Sequence, residues 1–260
     1  MAPIIPEKET QAIKEKLAED LKKSVRLTLF VEPEATLAVP GRPPTLNKET
    51  KQLVEEIVAL SDKISLTAID PAQETDVSQQ FGVDKVPAIV LDADSNHNMR
   101  FFGFPGGFEF ATFLQSMIMA SQGKSGLSLD AKLALAKIDR DIQVQVFTTP
   151  TCPHCPTVAA MAMAMALENP YIKAEVIEST EFPHLVAKYQ ISGVPTVILS
   201  DTFMFVGAEP EESFVDAVMQ TYNKLRSSVL EIPTSGKLQM PGQKKNEPPT
   251  GGSSSLIIAR

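Results

Sequence analysis

Cysteine is nearly absent from this sequence: only Cys152 and Cys155 occur in 260 residues. No apolar run approaches the ~18 residues that a membrane-spanning helix needs. Positive charge is also scarce, because 24 Lys and Arg stand against 32 Asp and Glu, for a formal net charge of −8. An acidic chain is poorly suited to nucleic acid or to an anionic membrane surface. We therefore predict that it binds neither nucleic acid nor a membrane.

What remains is the composition of an ordinary globular protein, with 43% hydrophobic and 22% charged residues. The length suggests about two domains, at roughly 100–150 residues each. Residues 1–6 lead directly into a charged stretch and lack the apolar core of a secretory signal. Two cysteines used as one pair, with none spare for structural cross-links, fit a reducing compartment. These features predict a cytoplasmic protein.

The two cysteines flank Pro153 and His154, at the junction between two regular segments. Residues 142–147 alternate apolar and polar side chains and are rich in β-branched residues, which predicts a strand. The segment after the cysteines is rich in Ala, Met and Leu, which predicts a helix. The pair is therefore expected where a strand gives way to a helix.

This location favours redox chemistry. We predict a helix over 155–168, with Cys152 near its N-cap and Pro153 near the first helical position, where the missing proline N–H costs nothing. A thiol there faces free backbone N–H groups and the positive end of the helix dipole, both of which favour its thiolate. Cys155, one turn further on, lies within disulfide reach of Cys152. The pair therefore predicts a dithiol–disulfide exchange site.

The chain also contains an internal repeat, which governs the fold prediction. Residues 81–91 align with residues 189–199, and both segments place Val-Pro before an apolar run. Further upstream, residues 30–38 align with residues 147–155. The same order of strands and helices is therefore expected twice.

The repeat divides the chain into segments. The first unit has Ala35 and Ala38 at the positions of the two cysteines, so we expect the frame of the site without its chemistry. The Pro, Gly, Ser and Lys content near the C-terminus predicts disorder. The predicted organisation is a first unit at 1–120, a linker and helix at 121–141, a redox-active unit at 142–230 and a disordered tail at 231–260.

The order strand, CxxC, helix, strand, helix, Val-Pro, strand, strand, Gly, helix is the thioredoxin-fold pattern, here twice in tandem. The chain resembles the glutaredoxin-like protein disulfide oxidoreductases of archaea and bacteria, through residues 101–110, 138–141, 147–156, 181–183 and 194–195. The resemblance implies an α/β fold with two tandem thioredoxin-fold units, each a central mixed four-stranded sheet flanked by helices. Two departures are that family members often carry a CxxC in each unit, and more usually enclose Pro-Tyr between the cysteines.

The resemblance also implies roles for residues outside the CxxC. Pro195 is expected to form a cis peptide bond and to face the disulfide, while the backbone of Val194 pairs with an extended substrate. Pro87 of the first unit is expected to be cis as well. We further expect residues 102–119 of the first unit to pack against the second unit and to stabilise it.

Two residues have alternative roles. As imidazolium, His154 would stabilise the thiolate and raise the reduction potential; alternatively it is a solvent-facing spacer. Thioredoxins keep a buried Asp shortly before the first cysteine to handle protons, and this sequence has Val146 there. Glu178 is a candidate replacement, or simply a solvated strand end.

The function predicted from these features is thiol–disulfide exchange, with Cys152 as the attacking thiolate and Cys155 as the resolving thiol. No bound cofactor is needed, the substrates are protein disulfides, and electrons would come from an NADPH-dependent flavoprotein. One alternative is a dedicated carrier to a peroxiredoxin, because a one-sided tandem also looks like the N-terminal domain of the flavoprotein reductase that serves alkyl hydroperoxide peroxidases. The other is an iron–sulfur or zinc module, although zinc takes about four ligands and the chain has two Cys and three His.

Overall fold

The computed structural model describes residues 2–33, 46–93 and 96–230. The first unit contains α1 (Glu7–Asp20), β1 (Val25–Phe30), α2 (Asn47–Val58), β2 (Ile64–Ile69), α3 (Thr75–Gln80), β3 (Ala88–Ala93), β4 (Asn96–Phe102) and α4 (Phe108–Gln122). The second contains α5 (Leu129–Leu135), β5 (Ile142–Thr148), α6 (Cys155–Glu168), β6 (Ile172–Glu178), α7 (Pro183–Lys188), β7 (Thr196–Leu199), β8 (Phe203–Val206) and α8 (Glu211–Leu230). The predicted disordered tail, as well as Ala35 and Ala38, lies outside the described residues.

The two units repeat one strand arrangement. In the first, β1 is parallel to β2 and antiparallel to β3, which is antiparallel to β4. In the second, β5 is parallel to β6 and antiparallel to β7, which is antiparallel to β8. The predicted tandem α/β arrangement is therefore confirmed.

The two four-stranded halves form a single sheet. Strands β4 and β6 pair in parallel from Met99 with Ala174 to Phe102 with Ile177. The described strands thereby form one eight-stranded sheet in the order β2-β1-β3-β4-β6-β5-β7-β8. Pairing two edges in this way satisfies backbone groups that would otherwise face solvent.

A buried polar network crosses the joint between the units. Arg100 of β4 and Glu175 of β6 face each other in the register and form an ion pair of 3.0 Å. The side-chain amides of Gln143 and Gln145 also donate to Glu175, and the Lys85 ammonium lies 3.8 Å from it. Removing one partner of such a pair would cost about 3–5 kcal/mol, because the other charge would stay buried. The network therefore favours this strand register over shifted ones.

The central helix of the second unit is α6. Its sequence is almost wholly apolar, as expected of a helix that is covered on all sides. It packs against β6 on one side and against α4 of the first unit on another. The expected packing of residues 102–119 on the second unit is therefore confirmed. No helix in the described part of the chain is long and apolar enough to cross a membrane.

Candidate active site

The two cysteines form a disulfide, with their Cα atoms 5.5 Å apart. Cys152 keeps 7% of its surface exposed, whereas Cys155 is fully buried. The backbone N–H of Cys155 donates a hydrogen bond to the Cys152 sulfur at 3.1 Å. Only Cys152 is therefore open to a substrate, and a helix-terminal amide is directed at its sulfur.

The predicted helix over 155–168 matches α6, whose N-cap is His154 and whose first turn contains Pro156. Cys152 and Pro153 were expected near the N-cap and near the first helical position. Each lies two residues before that position, because Pro153 and His154 form a turn. Both prolines suit a helix start, and the structure uses the second. Cys152 still faces the helix N-terminus from this turn.

Pro153 and His154 are exposed on the outer side of this turn. The His154 side chain makes no capping hydrogen bond to α6. Its two alternative roles, charged neighbour of the thiolate or spacer, therefore both remain predictions.

The Val194–Pro195 peptide bond is cis, as is Val86–Pro87 in the first unit, which confirms both expectations. Pro195 is buried and Val194 is half-buried. Strand β7 continues from Pro195 and pairs with β5, where Thr196 lies opposite Phe147. The cis-proline loop is therefore adjacent to the strand end that leads into the cysteines.

A buried carboxyl group from the first unit lies at the base of the cysteine loop. Glu109 of α4 is 2% exposed, and the Thr148 hydroxyl, at the end of β5, donates a hydrogen bond to it. Burial raises the pKa of Glu109 to about 8, although the Thr148 hydrogen bond opposes the shift, and the nearby carboxylates of Glu178 and Glu181 add to it. The first unit thus places a titratable group beside the redox loop.

Glu109 was not among the functional residues predicted from the sequence. It lies in the 101–110 segment, which carries part of the family resemblance. A signal was present, because Glu109 is the single charged residue of the otherwise uncharged helix α4. The sequence pattern alone does not indicate that this residue contacts the other unit.

Glu178, the candidate proton carrier, is buried, and among the described residues none of its hydrogen bonds reaches a cysteine. It is 2% exposed, so it is not a solvated strand end. Its carboxylate accepts from the backbone N–H and hydroxyl of Thr180 and from the backbone N–H of Glu181. These bonds engage Glu178 in shaping the turn after β6.

The active-site loop is also held directly by the first unit. The backbone N–H of Phe108 donates to the carbonyl oxygen of Pro150 at 3.0 Å. Gly107 has φ +57°, and a Cβ there would overlap the same oxygen. Only glycine can both adopt this conformation easily and allow this approach. The loop before Cys152 is therefore supported from the first unit.

Comparisons with known proteins identify the family. A thioredoxin-domain family model matches residues 141–220, and a model described as a domain of unknown function matches residues 11–104. A thioredoxin of Methanocaldococcus jannaschii is 33% identical over 78 residues, which cover 92% of that protein and 30% of this chain. This chain belongs to the thioredoxin family.

Other similarities extend over both units. The F component of alkyl hydroperoxide reductase from Xanthomonas campestris is 27% identical over 169 residues, which are 65% of this chain and 30% of that protein. The chain thus spans less than a third of the length of that relative. The structure of a protein disulfide oxidoreductase from Aeropyrum pernix superposes with a TM-score of 0.76 at 24% identity, covering 84% of this chain and 94% of that one. This likeness confirms the tandem thioredoxin fold.

Within the ranges that the structure describes, no group of three or more His, Cys, Asp or Glu residues is placed to hold a metal ion. The paired cysteines supply the nucleophile and the second thiol that disulfide exchange needs.

Proposed function

We propose that this thioredoxin-family protein is a thiol–disulfide oxidoreductase that reduces or exchanges protein disulfides through a single dithiol, Cys152 and Cys155. The observation that carries the proposal is the asymmetric disulfide at the start of α6, in which Cys152 keeps a small exposed surface and Cys155 has none. The thioredoxin relatives support it. The proposal makes residues 142–230 the redox-active unit and residues 1–120 a redox-silent scaffold.

The reaction has two exchange steps. The Cys152 thiolate attacks one sulfur of a substrate disulfide, and the other substrate sulfur leaves as a thiolate that takes up a proton. Cys155 then loses its proton and attacks the Cys152 sulfur in the mixed disulfide. This step restores the Cys152–Cys155 disulfide and releases the second substrate thiolate. Two electrons pass to the substrate, and the reverse sequence would oxidise a substrate dithiol.

The second step needs an internal proton acceptor, because Cys155 is buried. We assign this role to Glu109, which lies on Thr148 at the base of the cysteine loop. Its pKa of about 8 is near the ordinary thiol value of ~8.5. Proton transfer is most effective when the pKa of the acceptor lies near the working pH.

The remaining site residues have supporting roles in this proposal. The backbone of Val194, next to cis-Pro195, would pair with an extended segment of the substrate. Pro153 shapes the turn between the cysteines, and His154 would favour the thiolate of Cys152. Because both cysteines serve one redox pair, we place the protein in the cytoplasm, where thiols are kept reduced.

The electron donor in this proposal is an NADPH-dependent flavoprotein. The matches to the F component of alkyl hydroperoxide reductase favour a second candidate function, that of a carrier between such a flavoprotein and a peroxiredoxin. Reduction of a peroxiredoxin disulfide that is much faster than reduction of insulin would support the carrier role. Comparable rates with both substrates would support a general oxidoreductase.

The test uses insulin reduction with dithiothreitol as electron donor. Cys152→Ser should abolish the wild-type activity, because the chain has no other exposed thiol. Cys155→Ser that has been reduced and then freed of dithiothreitol should still attack insulin but should accumulate a mixed disulfide, detectable by non-reducing electrophoresis and mass spectrometry. If Cys152→Ser instead accumulates the adduct while Cys155→Ser turns over normally, the two roles are reversed. A wild-type protein inactive on both insulin and peroxiredoxin disulfides would contradict the proposed function.

A further inference from the structure

We propose that Glu181 is a positioning residue for this reaction. Its carboxylate holds the first-unit loop from Gly103 to Glu109, here called the bracing loop, against the redox-active unit, and so keeps Glu109 on Thr148. This role rests on the proposed oxidoreductase function.

Glu181 binds two separate elements of the first unit. It follows β6 in the second unit and is 5% exposed. One carboxylate oxygen accepts from the backbone N–H of Phe104 at 2.6 Å, and the other accepts from the backbone N–H of Leu46 at 3.0 Å. Leu46 precedes α2, whereas Phe104 follows β4. One carboxyl side chain thus joins both elements to the second unit by hydrogen bonds from backbone N–H groups.

The backbone at the start of the bracing loop is fitted to this contact. Gly103 has φ +93°, and a Cβ there would lie 2.8 Å from the Glu181 carboxylate and 2.7 Å from the Cβ of Glu178. A side chain at position 103 would therefore push the loop away from Glu181. Glycine here permits both the backbone conformation and the close approach.

The other end of the bracing loop reaches the redox loop. The Phe108 N–H donates to Pro150, and Glu109 accepts from Thr148. The loop is thus anchored at one end by Glu181 and at the other by the residues that lead into Cys152. Loss of the Glu181 anchor would free the Gly103 end of the bracing loop, so that the Phe108–Pro150 and Glu109–Thr148 hydrogen bonds and the packing of α4 on α6 would remain to hold Glu109. We expect the Glu109 carboxyl group to shift relative to the cysteines as a result.

The charges around Glu181 explain why its two amide partners matter. Burial raises the pKa of Glu181, and the nearby carboxylates of Glu178 and Glu49 raise it further, while the hydrogen bonds from Phe104 and Leu46 lower it. Glu109 of α4 also faces this group. The two amide hydrogen bonds that position the bracing loop therefore oppose the effect of burial and of the neighbouring carboxylates on this pKa.

The experiment compares Glu181→Gln, Glu109→Gln and the double variant with a matched control. The control is Glu56→Gln, because the Glu56 carboxylate likewise accepts backbone N–H groups, those of Ile4 and Ile5, but wholly within the first unit. The measured quantity is the rate at which Cys155 resolves a preformed mixed disulfide on Cys152, from pH 5 to 9. Melting temperatures show whether each variant is folded.

We expect Glu181→Gln to slow resolution roughly tenfold to a hundredfold, the scale of a misplaced catalytic group. Its pH profile should shift toward that of Glu109→Gln, and the double variant should be no slower than Glu109→Gln alone. Glu56→Gln should keep the wild-type profile. If Glu181→Gln does not fold, Glu181→Asp, which keeps the charge on a shorter side chain, should give the same comparison with a smaller loss.

Three results would overturn the inference. The first is a wild-type pH profile of the resolution rate for folded Glu181→Gln. The second is a double variant whose rate is reduced by the product of the two single-variant reductions. The third is a wild-type pH profile for Glu109→Gln. In each case the wild-type protein still exchanges disulfides, so the proposed function survives. A wild-type protein that does not exchange disulfides at all removes both.

Discussion

The two thioredoxin units share a strand order and a cis-proline, but they use the same loop in different ways. In the first unit the loop after β4 is packed against the second unit, with Gly103 close to Glu181 and Gly107 close to Pro150. In the second unit the equivalent Gly207 also has a positive φ, yet no described atom lies within 4 Å of where its Cβ would be. One loop supports the redox site, and the other stays open beside the cis-Pro195 loop, where a substrate would bind.

The last strands of the two units, β4 and β8, also differ in how exposed they are. Strand β4 is paired with β6, and its Phe101 and Phe102 are buried in the cores on the two faces of the sheet. On β8, Met204 and Val206 are each about half exposed, and β7 is the strand that pairs with it. A unit without cysteines can thus serve as a scaffold, while the unit with cysteines keeps its edge accessible.

The helices that follow show the functional consequence. Glu109 is buried at the start of α4, whereas the residue aligned with it in α8, Ser213, is exposed. The carboxyl group that serves the redox site in our proposal therefore comes from the unit that lacks the cysteines.

The largest expected effect is the change in the free energy of unfolding with pH that results from the raised pKa of Glu109. Its pKa is raised from 4.5 to about 8 by folding, so the folded state holds a proton that the unfolded state has lost between these pH values. Stability should therefore fall as the pH rises from about 4.5 to 8, by on the order of 5 kcal/mol at about 1.4 kcal/mol for each pKa unit.

Glu109→Gln should remove this loss, and urea unfolding of the reduced protein at pH 5, 6.5 and 8.5 measures it. Glu212→Gln, at an exposed glutamate of the first turn of α8, is the matched control and should follow the wild type. Parallel pH curves for wild type and Glu109→Gln would contradict the assignment.

A second test compares two glycines with positive φ, one at the contact between the units and one away from it. Gly123 has φ +62° and ψ +32°, in the left-handed helical region, and a Cβ there would meet no described atom within 4 Å. Gly123→Ala should cost about 1 kcal/mol for its conformation alone. Gly107 has φ +57° and ψ −130°, which suits side chains less well. Gly107→Ala should cost a further ~1–3 kcal/mol, because of this conformation and because the new Cβ displaces the Pro150 carbonyl.

Chemical unfolding gives both costs, and insulin reduction gives the effect on the redox loop. Gly107→Ala should lower activity, whereas Gly123→Ala should not. If the two substitutions destabilise the protein equally, the new Cβ at position 107 does not clash with the Pro150 carbonyl, and the prediction is wrong.

The smallest expected effect concerns His154. An imidazolium beside the helix N-terminus stabilises the thiolate, which makes the disulfide more oxidising, so we expect a reduction potential above about −270 mV, the value for thioredoxin. His154→Tyr should lower it by roughly 20 mV, which corresponds to ~1 kcal/mol of thiolate stabilisation. Equilibration of both proteins in one glutathione buffer measures the difference, and equal potentials would make His154 a spacer.

Local and periodic signals in the sequence were sufficient for much of the fold. The spacing of Cys152 and Cys155, the two Val-Pro segments and the repeated strand–helix order identified the tandem thioredoxin fold, because each signal depends on neighbouring residues or on alignment with the other copy. The bounds of α6 were predicted as 155–168, but its N-cap was expected near Cys152 and lies at His154. Two prolines fit a helix start equally well, and only the turn at Pro153 and His154 selects between them.

The joining of the two sheets and the site of Glu109 were decided by tertiary structure. The sequence pattern determines which strands are apolar, but not that β4 pairs with β6, since edge pairing depends on how whole units meet. Likewise, Glu109 and Thr148 are 39 residues apart in the chain. The pKa of Glu109 rises only because the packed units exclude water from it, and no local pattern of residues specifies that exclusion.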